Sequence, residues 1–164
     1  MNTPLLDGFP PVVDGNARLL ILGSFPSVQS LEARQYYGNP RNAFWPITSA
    51  LFGFDVRAPY ETRLAAVQSH GVALWDVLHQ CRRVGSSDAK IDLKSLVAND
   101  FDQLFTTYRC ITRVYFNGRT ANTLFRRLVH VDVPVSYSVL PSTSPARAMP
   151  AGQKLHAWRV ITSS

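Results

Sequence analysis

Four short apolar runs constrain this chain more than any other feature: Arg18 to Leu22, Val72 to Trp75, Thr112 to Phe116 and Val135 to Leu140. Each has strand length, is rich in branched or aromatic residues, and is closed by Gly, Asp, Asn or Pro. The stretches between them have helical spacing. Ala43 to Phe52 carries Phe44, Ile47 and Leu51, and Tyr60 to Gln68 places Leu64 and Val67 on one side with Gly71 as a stop. Asp100 to Tyr108 repeats Phe101, Leu104, Phe105 and Tyr108; Arg119 to His130 carries Leu124, Phe125 and Leu128; Gly152 to Thr162 reads as a terminal helix. The order is β-α-α-β-α-β-α-β-α. Parallel strands need crossover connections, and helical crossovers cover both faces of the sheet. The expected fold is therefore α/β, a three-layer α/β/α domain with a short, mostly parallel four-stranded central sheet. With no repeat and no linker, residues 1–164 are expected to form a single domain.

In such sheets ligands gather beyond the carboxyl ends of the strands. Here those ends are Gly23-Ser24-Phe25-Pro26-Ser27, Asp76, Asn117-Gly118 and Leu140-Pro141-Ser142-Thr143-Ser144-Pro145, all polar or turn-forming. The first is not a phosphate-cradling P-loop, because the GxxxxGK[ST] spacing is absent. The last opens a Ser/Pro-rich loop carrying Arg147. Its hydroxyls and backbone amides can grip a phosphate, and proline lowers the entropic cost of ordering it; an ordinary surface loop is the alternative. Tyr36-Tyr37-Gly38-Asn39-Pro40-Arg41-Asn42-Ala43-Phe44-Trp45 combines π-faces, close backbone approach and neutral amides just before a helical segment. That mixture suits a pocket for a flat polar ring.

Charge and cysteine usage narrow the partners. Lys and Arg number 17 against 11 Asp and Glu, a net charge of +6, which fits either a modestly basic protein or attraction to a polyanion such as nucleic acid. No apolar run is long enough for a bilayer, and no basic-then-apolar leader pattern begins the sequence, so no membrane association and a cytoplasmic location are expected. Cys81 and Cys110 lie in no CxxC or Cys/His ligand pattern. Both are expected to be buried free thiols, and neither a metal nor a cofactor is expected.

Together these segments resemble the uracil-DNA glycosylase superfamily. Gly23 to Ser27 looks like its first motif, which begins with glycine after the first strand and carries a proline three residues on. Gly38 to Trp45 is similar to the HPANRFW-like segment of mismatch-specific uracil/thymine glycosylases. Gly71 to Val77 looks like the strand carrying the base-reading side chain, and Leu140 to Pro145 resembles the second-motif loop that penetrates the duplex. The hypoxanthine-DNA glycosylase branch matches furthest, with GSFPS, YYxNPxNxFW, WDVL, GSxDxxI and LPSTSPA present in order.

The resemblance implies a monofunctional DNA glycosylase that acts on double-stranded DNA containing a deaminated base, without metal or cofactor, as a monomer. One departure matters: the superfamily's first-motif Asp or Asn and second-motif His or Asn are replaced here by Phe25 and Leu140. Asn39 is the natural substitute and the expected catalytic residue; a turn residue before Pro40 is its alternative. Tyr37 is expected to stack on the flipped base and Gly38 to allow close approach. Gly23, with backbone N–H groups of Ser24 and Phe25, is expected to hold the leaving base. Asp76 is expected to accept from the ring N–H of a deaminated base, or else to cap a helix beginning at Val77. Ser27, Arg41, Ser142, Thr143, Ser144 and Arg147 are expected DNA contacts, and Arg119 and Lys154 flank the same mouth. Asn42 and Trp45 should hold the loop and pack its helix, and His79, His130 and His156 should lie at the surface. A non-catalytic DNA-binding or damage-sensing protein on the same scaffold remains open, as does, more weakly, an enzyme acting on a free nucleoside.

Overall fold

The computed structural model describes residues 3–163. Its core is a four-stranded sheet of β2 (Leu19–Gly23), β3 (Val72–Asp76), β6 (Arg113–Asn117) and β7 (Ser136–Leu140), ordered β3-β2-β6-β7. Every pairing in it is parallel. β2 and β3 are buried at every residue, as strands covered on both faces must be; β3 lies at the sheet edge, where Val12 bridges to Leu74.

The alternation within each strand sorts the helices. Leu19, Ile21, Val72, Leu74 and Tyr115 face a layer containing α2 (Phe44–Phe52), α3 (Tyr60–Ser69) and α6 (Ala151–Trp158). Leu20, Leu22, Ala73, Trp75, Val114 and Phe116 face α4 (Phe101–Thr107) and α5 (Arg119–Leu128). Trp158, Phe44 and Phe101 are among the largest fully buried side chains, each contributing roughly 1.5–3 kcal/mol of apolar burial. The three layers match the expected architecture, and the strand and helix boundaries agree within one or two residues, except that the last predicted helix ends in a 3-10 turn at Arg159–Thr162.

Other elements were not legible as such. A small antiparallel sheet joins β1 (Leu5–Asp7), β4 (Leu78–Arg82) and β5 (Val97–Ala98), in the order β1-β4-β5, and a six-residue helix α1 (Val28–Ala33) follows the first turn. β1, β5 and α1 are too short to carry a period, and β4, Leu78-His79-Gln80-Cys81-Arg82, has no apolar run to mark it. β4 also corrects one alternative: Asp76 does not cap a helix, because a strand follows it almost at once. Cys81 is buried on β4, whereas Cys110 is exposed, contrary to the expectation that both would be buried. Cys110 sits in the turn after α4, where little packs over it. No helix among the described residues is long and apolar enough to cross a membrane.

Candidate nucleobase pocket

Register lines up the site. Gly23 pairs with Asp76 and Asn117 with Leu140, so the carboxyl ends of all four strands form one row. The strand order reverses between β2 and β6, the place where open α/β sheets leave a crevice. A cavity of about 540 Å³ opens there, in the size range of small-molecule sites.

Most residues singled out from the sequence meet in this cavity. Gly23, Ser24, Phe25 and Ser27 line it from the first turn, Tyr37 and Asn39 from the second segment, and Asp76 from β3. Ser142, Thr143, Ser144 and Arg147 line it from the loop after β7. Two do not. Gly38 packs against α1 instead: a Cβ there would meet the Ser30 Cα at 3.2 Å, and its N–H donates to Ser30 Oγ at 2.9 Å. Its lack of a side chain serves helix packing rather than approach to a ligand. Arg41 is exposed outside the cavity, its N–H donating to Asn39 Oδ1 at 2.9 Å.

The Tyr36 to Trp45 segment is held rigidly. Tyr36 donates its hydroxyl to Pro10 O and its N–H to the Tyr60 hydroxyl, and Trp45 Nε1 donates to Tyr36 O. With Gly38 pinned on the other side, Tyr37 is forced to φ 55°, a left-handed conformation costly for a bulky residue. Its ring lies on Phe44, centroids 4.0 Å apart and planes 25° apart. Asn39 O accepts from Asn42 N–H and Asn42 Oδ1 from Phe44 N–H, so one turn leads directly into α2.

Asp76 is the most unusual group of the site. Its carboxyl is 5% exposed, and Oδ2 has no hydrogen-bond partner. Burial pushes its pKa up to about 7; Asp88 adds to the rise and Arg83 opposes it. Oδ1 leans over Gly23, where a Cβ would stand only 2.5 Å away. Glycine is thus required at position 23 for this side chain to lie as it does.

Several cavity residues had no role assigned from the sequence. Asn117 Nδ2 donates to Thr143 Oγ1 and its Oδ1 accepts from Thr143 N–H, both at 2.9 Å. This two-pronged clamp fixes the loop after β7 to the end of β6. Its only sequence signal is a polar residue at a strand end. Ser86, Ser87 and Asp88 form a further wall, with Ser24 Oγ donating to Asp88 Oδ1 at 2.7 Å. Buried Arg83 ties that wall to the first turn, donating to Pro26 O and Gly85 O while its guanidinium lies 5.2 Å from the Phe25 ring.

The expected phosphate grips are more occupied than anticipated. Ser27 Oγ caps α1, accepting from Ser30 N–H, and Ser142 Oγ accepts from Ser144 N–H. Lys154, expected at the mouth, is instead buried and donates Nζ to Ser144 O, so it braces the loop from behind. Arg119 and Arg147 are exposed. His79, His130 and His156 are exposed as expected.

Known proteins resemble this chain in sequence and in fold. The family model described as the uracil DNA glycosylase superfamily matches residues 10–161. A protein of Methanosarcina acetivorans named hypoxanthine DNA glycosylase is 35% identical over 155 residues, covering 94% of this chain and 96% of its own. A protein of the same name from Methanosarcina barkeri is 40% identical over 113 residues, 68% of this chain and 70% of its own. A solution NMR structure from M. acetivorans, described as a candidate uracil DNA glycosylase, superposes with a TM-score of 0.77 at 33% identity, covering 98% of this chain and all of the other.

Proposed function

Given that this chain belongs to the uracil DNA glycosylase superfamily, we propose that it excises hypoxanthine, and other deaminated bases with the same pairing edge, from double-stranded DNA. The observation that carries the proposal is the meeting of Asn39, Tyr37, Asp76 and the Gly23 to Ser27 turn around one cavity at the sheet's switch point. The curated relatives over this length carry the hypoxanthine name.

A stacked base is out of reach, so the nucleotide is extruded at a cost of a few kcal/mol, least for a mispaired base. Once the base is inside, the C1′–N bond breaks with its electron pair leaving on the base, and positive charge grows on the sugar. Backbone N–H groups of Ser24 and Phe25 face the negative charge. Asn39 Oδ1 has a second lone pair beyond the one used by Arg41 N–H, and its Nδ2 makes no hydrogen bond among the described residues. It holds the attacking water, whose oxygen bonds to C1′ while its proton passes to solvent; the products are the free base and an abasic site. An amide is a poor base, so positioning and electrostatics carry the rate. Ser142, Ser144 and exposed Arg147 meet the DNA backbone at the mouth, Thr143 is instead buried behind them in the Asn117 clamp, and Arg41 and Arg119 add charge beyond it.

The direct assay uses duplexes containing deoxyinosine, deoxyuridine or deoxyxanthosine, followed by alkali. Strand scission is expected with deoxyinosine; scission with none of the three would sink the proposal. A second expectation comes from Gly23. Its backbone lies outside the left-handed region, so Gly23→Ala folds, but the methyl displaces Asp76 from its seat. Excision of hypoxanthine should fall about tenfold or more with unchanged far-UV circular dichroism, and a wild-type rate would show that Asp76 need not lie over Gly23.

A further inference from the structure

Three buried side-chain atoms among the described residues lack any hydrogen-bond partner: Tyr37 Oη, Asp76 Oδ2 and Arg83 Nη1. Each orphaned group costs about 1–3 kcal/mol, so such groups are few and call for a cause. Two of the three, Tyr37 and Asp76, line the same cavity. Their tips also converge. The point where a Cβ would stand on Gly23 lies 2.5 Å from Asp76 Oδ1 and 3.6 Å from Tyr37 Oη. The strained φ of Tyr37 and the bare Gly23 both serve this convergence.

Resting on the glycosylase reading above, we infer that the Tyr37 hydroxyl and the Asp76 carboxyl together read the pairing edge of the flipped base, the phenol donating to its exocyclic oxygen and Asp76 accepting from its ring N–H. The chemistry of each group sets its side of the pair. Burial and the nearby Asp76 charge hold the phenol well above its ordinary pKa, so it stays a donor. Asn117 lies beside it with one amide N–H given to Thr143; its other N–H can at most donate to the phenol oxygen, which leaves the phenol proton for a ligand. A carboxyl keeps an accepting oxygen whether ionised or neutral.

Hypoxanthine presents O6 next to N1–H, and uracil presents O4 next to N3–H. Both match donor to acceptor and acceptor to donor. Adenine and cytosine reverse the order, placing an amino N–H against the phenol and a ring lone pair against the carboxyl. With Asp76 ionised the site rejects such a mismatch, because the carboxylate then faces a ring lone pair with no donor between them and the phenol is left to accept where it would otherwise donate. A single carboxylate does not achieve this alone, since it accepts from an amino group as readily as from a ring N–H.

The inference also changes what Tyr37 does. A ring whose hydroxyl lies in the plane of the base meets its edge and cannot stack on its face. Phe44 already backs one face of the Tyr37 ring. The stacking wall therefore falls to Phe25, which lines the cavity and carries Arg83 behind it.

Tyr37→Phe separates the roles, because it keeps the ring and removes only the hydroxyl. Single-turnover rates on deoxyinosine and deoxyuridine duplexes should each fall about tenfold or more, the value of one lost buried hydrogen bond. Affinity for a duplex carrying a tetrahydrofuran abasic analogue, which offers no base edge, should be unchanged. The melting temperature should stay level or rise, since an orphaned hydroxyl is gone. Wild-type rates in the variant would reduce Tyr37 to a packing surface and overturn the inference alone. A parallel loss of abasic-analogue affinity, or a destabilised variant, would overturn it by showing a structural role for the hydroxyl. Wild-type protein inert on both damaged bases would defeat the glycosylase proposal, and this inference with it.

Discussion

Asn39→Ala is expected to lower the single-turnover rate of hypoxanthine excision by about 10²–10³-fold, the usual loss when one preorganised polar group is removed from a reacting centre. DNA affinity should change only a few-fold, because the phosphate contacts lie elsewhere. The reason is the loss of the superfamily's usual catalytic groups, which leaves the pocket asparagines as the candidates. Phe25 and Leu140, at the places where the superfamily carries its usual catalytic groups, are 7% and 6% exposed and belong to the two cores. Three asparagines line the cavity. Asn117 gives one amide N–H and one Oδ1 lone pair to Thr143, which makes it the clamp of the loop after β7, and Asn42 receives Phe44 N–H on Oδ1 at the start of α2, whereas Asn39 stands where the resemblance puts the branch's asparagine. Asn39 also has a structural duty, the turn bond from Arg41 N–H, worth about 1 kcal/mol. Two comparison variants separate the duties. Asn39→Asp keeps the accepting oxygen and should preserve stability, and Asn42→Ala should lose stability while retaining a rate within a few-fold of wild type. An Asn39→Ala protein with a wild-type single-turnover rate would remove Asn39 from the chemistry.

The second large effect is on stability. In an unfolded chain Asp76 titrates near 3.8, whereas in the fold burial raises it to about 7. Between those values the unfolded chain has released a proton that the folded chain keeps. Stability therefore falls as pH rises through this window and levels off above about 7. The gap corresponds to on the order of 4 kcal/mol at pH 8. Asp76→Asn removes the ionisation while keeping the shape. It should raise the melting temperature by roughly 10 °C at pH 8, with the advantage shrinking towards pH 4. Thermal scans of both proteins from pH 4 to pH 8 check this. An advantage that does not change with pH would place its origin in packing instead of charge. Retaining a carboxyl that weakens the fold at neutral pH makes sense only if the pocket uses it.

Much of this was open to reading in one dimension. β2, β3, β6 and β7 were visible because a strand buried on both faces must be a short, unbroken apolar run. α2 to α6 were visible because amphipathic spacing marks the buried stripe. The strand-end rule brings together Gly23, Asp76, Asn117 and the Ser142 to Arg147 loop from their positions in the chain alone. β1, β5 and α1 escaped because they are short, and β4, as long as the visible strands, escaped because Leu78-His79-Gln80-Cys81-Arg82 is no apolar run; all are stabilised by neighbours distant in sequence, as in the pairing of Leu5 with Arg82. Gly38 and Lys154 were misplaced for a related reason. Their types suited a ligand, but Gly38 packs on Ser30 and Lys154 turns inward to Ser144 O.

The residue pattern by itself determined the α/β layering, the location of the pocket and the superfamily, because periodicity and motif order are local properties that survive in the linear chain. Which polar atoms are left unpaired in that pocket was decided only by the tertiary structure. Tyr37 Oη and Asp76 Oδ2 are orphaned by what surrounds them: Gly23 from an adjacent strand, Phe44 behind the ring and an Asn117 amide turned towards Thr143. Hydrogen-bond satisfaction is a property of three-dimensional neighbours, which no linear pattern records.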